Sequence, residues 1–290
     1  MAVQTSTTGS LENASREMIS SLLTAIEHNA PMKNLVPNYS LKKGEDTGIF
    51  PRVGRITVDP LVEGQDIVTE KDIGMITVSV STSEVGAKVI LTDKLLHHNV
   101  SANFGTTGEQ LGEGMARRLN EDIVGLFSGL NGGTDLGAAG RALTSANATI
   151  IITNGLSRRF GGNQVVVHHP VAIGRLLQDA TTLGSGTIRP IPEGWSARLL
   201  GKYYSGVTIY TVPFFHTGDI TRDGSDDAIG AIFSKFAMGL LWTKQMKTER
   251  QRDASLRAWE LVITSDYAAF EHDDTRGAPV TMDAADPATT

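Results

Sequence analysis

From Ile76 to Leu91 apolar and polar residues alternate, but the phase of the alternation reverses half-way along. Ile76, Val78 and Val80 form one apolar set, with Thr77, Ser79 and Ser81 between them. Val85, Ala87, Val89 and Leu91 form the next set, one residue out of step. A period of two puts successive side chains on opposite faces of a strand, so each half has a dry and a wet face. A one-residue shift turns the dry face over and needs a bulge or bend, for which residues 81–86 are the natural place. A second strand-like run, 52–68, precedes this one, and the polar stretch 69–74 (TEKDIG) reads as the turn between them. The pair predicts an extended hairpin over 51–92, with Thr69, Glu70, Lys71, Asp72 and Ile73 at its tip. A two-stranded ribbon is marginal alone, so this one is expected to lie against another surface.

The stretch 106–130 carries the strongest helical signal. Leu111, Met115, Leu119, Ile123, Leu126, Phe127 and Leu130 recur mostly at steps of three and four. Thr107, with Gln110 three residues on, suits a capping box, and Gly132–Gly133 suits a stop. A helix of this length spans roughly 35 Å, long for a globular protein. Upstream, a shorter helix is expected at 11–29, capped by Ser10, with Met18, Leu22, Leu23 and Ile26 on one face and Pro31 as its stop. Residues 31–50, holding Pro31, Pro37, Gly44 and Gly48, read as an irregular arm with no core of its own. Downstream, the pattern predicts a weak helix at 144–160, a buried strand at 164–167 and a helix opened by Pro170. Strands follow at 207–215, 228–242 and 259–264, the first two separated by the polar loop 217–227. This mixture predicts an α+β fold.

Composition narrows the function. Apolar residues make up 40% and charged residues 20% of the 290, as in chains that bury an ordinary core. No apolar run has transmembrane length, and the N-terminus lacks the order of a secretory signal. The absence of cysteine excludes thiolate catalysis, Cys-ligated zinc, iron–sulfur clusters and disulfides. The net charge is -6, and no basic run exceeds Arg117–Arg118 or Arg158–Arg159, which argues against a DNA-reading surface. The 31 glycines are spread along the chain and suit bent strands and adjustable loops.

Candidate chemistry fails position by position. The loop from Asp219 opens like a calcium loop, D-I-T-R-D-G, but its twelfth position is Gly230 where a bidentate Glu is needed. His168–His169 and His97–His98 are adjacent pairs, and neighbours on a strand point to opposite faces, so neither pair chelates one metal. Gly155–Leu156–Ser157 is followed by Arg158–Arg159 and makes no nucleophile elbow. Gly184–Ser185–Gly186 lacks the rest of a phosphate loop. Asp226–Asp227 and Asp273–Asp274 read as solvated carboxylates, and Trp195, Tyr203, Tyr204 and Tyr210 as anchors of a small lobe without a basic groove. No catalytic, cofactor or metal residue is assigned.

An arm without a core, a long two-stranded extension, one long helix, a mixed α/β lobe and a return to strands: this order resembles the Hong Kong 97-type fold of tailed-bacteriophage major capsid proteins. The stretches GAKVILTDKLL (86–96), GEQLGEGMARRLNEDIVGLFSGLNGG (108–133) and TRGAPVTMDA (275–284) look like that family, and the resemblance covers nearly the whole chain. It implies an N-terminal arm (1–50), an extended loop (51–92) and a peripheral domain with a spine helix (93–143). It further implies a mixed α/β axial domain (144–240), then return strands and a tail (241–290). The implied function is structural, not enzymatic. Hexamers and pentamers would form a phage head around double-stranded DNA, assembled in the bacterial cytoplasm, with no cofactor and no membrane. The extended-loop tip would contact a neighbouring subunit. The founding member of the fold joins an extended-loop lysine to a late asparagine; Lys71 is present here, but no Asn follows Asn163, so a shell without cross-links is expected. No long charged helical segment precedes residue 11, which implies a separate scaffolding protein, with a portal and a cement protein as further partners and DNA only weakly contacted. An encapsulin-type compartment shell is the alternative, and an enzyme using His168 or His169 is the rival from another class.

Overall fold

A computed structural model of the chain describes residues 30–54, 56, 58–61, 63–64, 66, 70–72, 74–94, 103–182 and 201–286. The expected helix at 11–29, the tip residues Thr69 and Ile73, His97–His98, Gly184–Ser185–Gly186 and Trp195 lie outside them. In chain order the elements are α1 (Pro31–Leu35), β1 (Asn38–Ser40), β2 (Thr47–Arg52), β3 (Ile76–Ser81), β4 (Ser83–Thr92) and α2 (Asn103–Val124). Then come α3 (Ser145–Ser157), β5 (Gln164–His168), α4 (Pro170–Thr182), β6 (Tyr204–Ile209) and β7 (Val212–His216). The chain ends with β8 (Asp227–Ser234), β9 (Met238–Asp253), β10 (Ala258–Glu271) and β11 (Gly277–Asp283). Among the described residues these strands form a four-stranded sheet β1-β9-β10-β4, a five-stranded sheet β11-β8-β5-β7-β6 and a ribbon β2-β3.

The four-stranded sheet owes its length to β10, where burial alternates along fourteen residues. Leu261 and Ile263 on its inner face meet Leu91 of β4 and Leu111 and Met115 of α2. The remaining stripe of α2, Ala116, Leu119 and Ile123, continues through Phe127 and Leu130 into the main core, against β5 and β8 of the other sheet. One helix thus serves both sheets, which is why it must be long. A second core lies on the opposite face of the five-stranded sheet, where Ile151 and Ile152 of α3 and Ile173 and Leu176 of α4 cover Val166, Phe214 and Ile232. Thr144 caps α3 by accepting from the Asn147 amide at 3.3 Å. Asn131, Gly132 and Gly133, all at positive φ, end the turn that follows α2.

The phase reversal is real, and its form differs from one bulged strand. The run splits at Thr82 into β3, which pairs with β2, and β4, which pairs with β10. Pairing uses Thr47–Arg52 rather than the expected partner run 52–68, and among the described residues no strand lies between Val53 and Met75. The described pairing of the hairpin is therefore confined to its base. The expected arm 31–50 is not coreless: Met32, Leu35 and Val36 are buried in the main core, and Tyr39 pairs in register with Leu241. Thr107 is inside α2, which starts four residues earlier at Asn103. The run 207–215 is a hairpin of two strands, and 228–242 belongs to two sheets, broken at residues 235–237. β11, expected in a peripheral return, is an edge of the five-stranded sheet, beside β8.

Candidate inter-subunit surface

The extension is fastened at its base by aromatic stacking. Phe50 of β2 stacks on Phe270 of β10 at 4.4 Å and 27° and tilts against Tyr39 at 4.9 Å. His272 meets the same ring edge-on at 6.0 Å. Two residues further, Arg52 Nε lies 3.1 Å from Asp273 and its Nη1 lies 2.8 Å from Asp274. Burial works to raise the Asp273 carboxyl, but donation from Thr275 and Arg276 and the charge of Arg52 outweigh it and hold it below the usual range.

Away from these anchoring contacts the apolar residues of the segment face solvent. Val58 is 91% exposed, Leu61 70% and Ile49 67%, and Val53, Ile56, Met75 and Ile76 are each more than half exposed. Half of the exposed large apolar side chains among the described residues fall in this one stretch. Scattered exposed apolar residues are ordinary on a protein surface; a run of them in one stretch is not. At the expected tip, Lys71 pairs with Asp59 at 2.7 Å and the Gly74 amide donates to Asp72 at 3.2 Å, while Glu70 is exposed. The structure thus describes Glu70, Lys71 and Asp72 as a solvated, internally braced end. Sequence reasoning missed the anchoring pair Phe50 and Arg52, and it missed that Val53, Ile56, Val58 and Leu61 are the exposed set. Their spacing of three, two and three fits neither the helical nor the strand period, and that misfit was the available signal.

The residues weighed for chemistry have structural duties. His168 is fully buried; its Nδ1 accepts from the His169 amide at 2.9 Å, so the proton sits on Nε2, which donates to the Val280 carbonyl at 3.1 Å. Burial pushes this imidazole down to about 4. His169 points elsewhere, its Nδ1 accepting from the Val171 amide at 3.3 Å. Asp219 accepts from the Asn120 side chain of α2 at 2.8 Å and from the Thr217 hydroxyl at 3.0 Å, and Asp223 accepts from the amides of Ser225 and Asp227, so these carboxylates serve to hold the loop's own shape and its contact with α2. Gly230 is a residue of β8, outside the loop. Among the described residues no three His, Asp or Glu side chains gather as metal ligands, and no described helix is long and apolar enough to cross a membrane.

No protein-family model matches the chain, and no curated protein matches it. Solved structures do. The head structure of Helicobacter pylori bacteriophage KHP40 aligns with a TM-score of 0.66 at 9% identity, over 89% of this chain and 91% of that one. The capsid of Cyanophage P-SCSP1u aligns at 0.63 and 14% identity, over 88% of each chain. The chain has the Hong Kong 97-type fold. A holo-encapsulin complex from Synechococcus elongatus carries it too, at 0.63 and 13% identity over 89% of both chains.

Proposed function

We propose that the chain is the subunit of a closed protein shell, the major capsid protein of a tailed phage. The observation that carries this reading is the full-length match in fold to phage heads and capsids, with about nine-tenths of each chain aligned. The exposed apolar extension agrees with it, since a segment that leaves Val53, Ile56, Val58 and Leu61 open to solvent in its own chain needs another copy to cover them. In this reading hexamers and pentamers enclose double-stranded DNA in a virion built in the bacterial cytoplasm. The tip residues Thr69, Glu70, Lys71, Asp72 and Ile73 reach a neighbouring subunit, and a scaffolding protein, a portal and a cement protein complete the head. The sequence-derived domain ranges 1–50, 51–92, 93–143, 144–240 and 241–290 belong to this proposal, amended so that β11 joins the axial sheet. An enzyme using His168 is disfavoured, because that ring is sealed from solvent and both its nitrogens are engaged.

The compartment reading has one observation in its favour, the encapsulin that aligns as well as the cyanophage capsid does. Purified protein examined by electron microscopy and sedimentation tests both. Shells or capsomers are expected; a persistent monomer under all assembly conditions overturns the shell reading. Particles from the native source that hold DNA support the head, and particles that hold a protein cargo support the compartment.

A further inference from the structure

Two of the three passages of the chain between the two large sheets meet at one place. β8 hands over to β9 through residues 235–237, and β10 hands over to β11 through 272–276. The Ala237 carbonyl accepts from the backbone amides of His272 and Asp273 at 2.9 and 3.0 Å, which ties the two passages together. Arg52, the last residue of β2, reaches this junction from the extension. Its guanidinium spans two consecutive carboxylates, Asp273 at 3.1 Å and Asp274 at 2.8 Å.

The acceptor is set in place by other groups. Asp273 Oδ1 takes the Thr275 hydroxyl at 2.6 Å and the Thr275 amide at 3.3 Å, and its Oδ2 takes Arg276 Nε at 2.8 Å. A planar fork with fixed donors reads such a pre-set pair in one orientation, which a flexible ammonium does not do. The Phe50–Phe270 stack and the packing of Val78 and Val80 with Leu241 and Phe270 are apolar contacts, which tolerate rotation and sliding. A second, directional contact two residues away removes that freedom. Past Arg52 the described ion pair, Lys71 with Asp59, and the Gly74–Asp72 bond are internal to the extension. Partly exposed ion pairs add little stability, so the consequence of this one is direction.

We propose that Arg52 is a positioning residue: its fork across Asp273 and Asp274 fixes the direction in which the extension leaves the body and couples that direction to the setting of the two sheets. The coupling is a property of the single chain; its use in placing the extension on a neighbour rests on the shell reading above. In a shell, a change in the setting of the sheets would reach the extension through this contact as well as through the apolar base and the β3–β4 continuity.

The test compares wild type with Arg52→Ala, Arg52→Lys and Asp274→Asn by hydrogen exchange on the unassembled chain. Arg52→Ala is expected to speed exchange at β2 and β3 amides at least tenfold while β8 and β11 amides keep their wild-type rates. Arg52→Lys is expected to recover less than half of that change on a logarithmic scale, and Asp274→Asn to fall between wild type and Arg52→Ala. Under assembly conditions Arg52→Ala is expected to lower shell yield at least threefold or to give mixed diameters. Wild-type exchange in β2 and β3, equal acceleration in β8 and β11, or full recovery by lysine overturns the proposal. Should Arg52→Ala not fold, Asp274→Asn decides, and wild-type exchange in its ribbon is the overturning result. Failure of the wild type to assemble removes the shell reading and leaves the exchange result to judge the positioning role.

Discussion

His168 and Gly230 show how closely single residues are fitted in the five-stranded sheet. The imidazole of β5 crosses β8 to reach the Val280 carbonyl on β11, and it crosses where β8 has no side chain. A Cβ on Gly230 would lie 2.3 Å from His168 Cδ2 and 2.4 Å from the Val167 carbonyl oxygen. Neither neighbour is the free end of a flexible chain, so Gly230→Ala is expected to cost about 1–3 kcal/mol, read as a lower midpoint in chemical denaturation. The same ring makes the fold acid-labile. Its value is lowered from 6.5 to about 4, so the unfolded chain binds a proton that the folded chain refuses between those limits. Its contribution is complete above about pH 6.5 and is lost as pH falls towards 4, a change of about 3 kcal/mol. His169, His216 and His272 are also lowered, mainly by burial, and add to the slope in the same direction. Denaturant melts at pH 7 and pH 4.5 measure the slope, and His168→Gln is expected to flatten it in part. None of this was legible in the sequence, where His168–His169 could be assigned only to opposite faces of a strand. Which face is sealed depends on β11, more than a hundred residues away.

At the scale of elements, legibility followed locality. The periods of α2, α3 and β5 are set by neighbours in sequence and were readable. So was the reversal between β3 and β4, because alternation records which face is dry. The partner strand was not readable, since 47–52 carries Gly48 and Pro51 within what read as an irregular arm, and its pairing is fixed by Phe50 stacking on a ring of β10. Two turns were hidden for a different reason. The β8–β9 break is spelled Lys235–Phe236–Ala237, with none of the usual turn residues. The β6–β7 turn is Tyr210–Thr211, both at positive φ, 48° and 67°. A two-residue turn of this hand favours Asn-Gly, and a β-branched residue there is an outlier with a strain of about 1–3 kcal/mol. Replacing the pair by Asn-Gly is expected to raise stability by about 1–2 kcal/mol, a few degrees in thermal midpoint, provided the ring of Tyr210, which is largely exposed, contributes little to the isolated chain. A calorimetric scan checks it, and an unchanged or lower midpoint removes the strain argument.

For the whole molecule, the shell reading makes opposite demands on the monomer and the assembly. Lys71 is braced against Asp59 within its own chain, and no asparagine follows Asn163. Assembled particles boiled in denaturant are therefore expected to run as one band at 31.0 kDa, and a ladder of covalent multimers would sink that expectation. Without covalent links the shell must be held by repeated weak contacts, each of which gains from the others once the ring closes. The extension is where such contacts leave a trace in a single chain. Val58 is 91% and Leu61 70% open to solvent, so exchanging both for serine removes little from the folded monomer, and its thermal midpoint is expected to stay within about 1 °C. On a neighbouring copy the same two side chains would bury apolar surface worth about 2–4 kcal/mol at each contact. A loss of that size, repeated around every ring, is expected to reduce shells at least tenfold while the monomer remains soluble and folded. Sedimentation velocity on the double variant separates the two effects. Unchanged shell yield would mean that the extension's apolar residues face solvent in the assembly as well, and the reading of the extension as the clasp between subunits would fall with it.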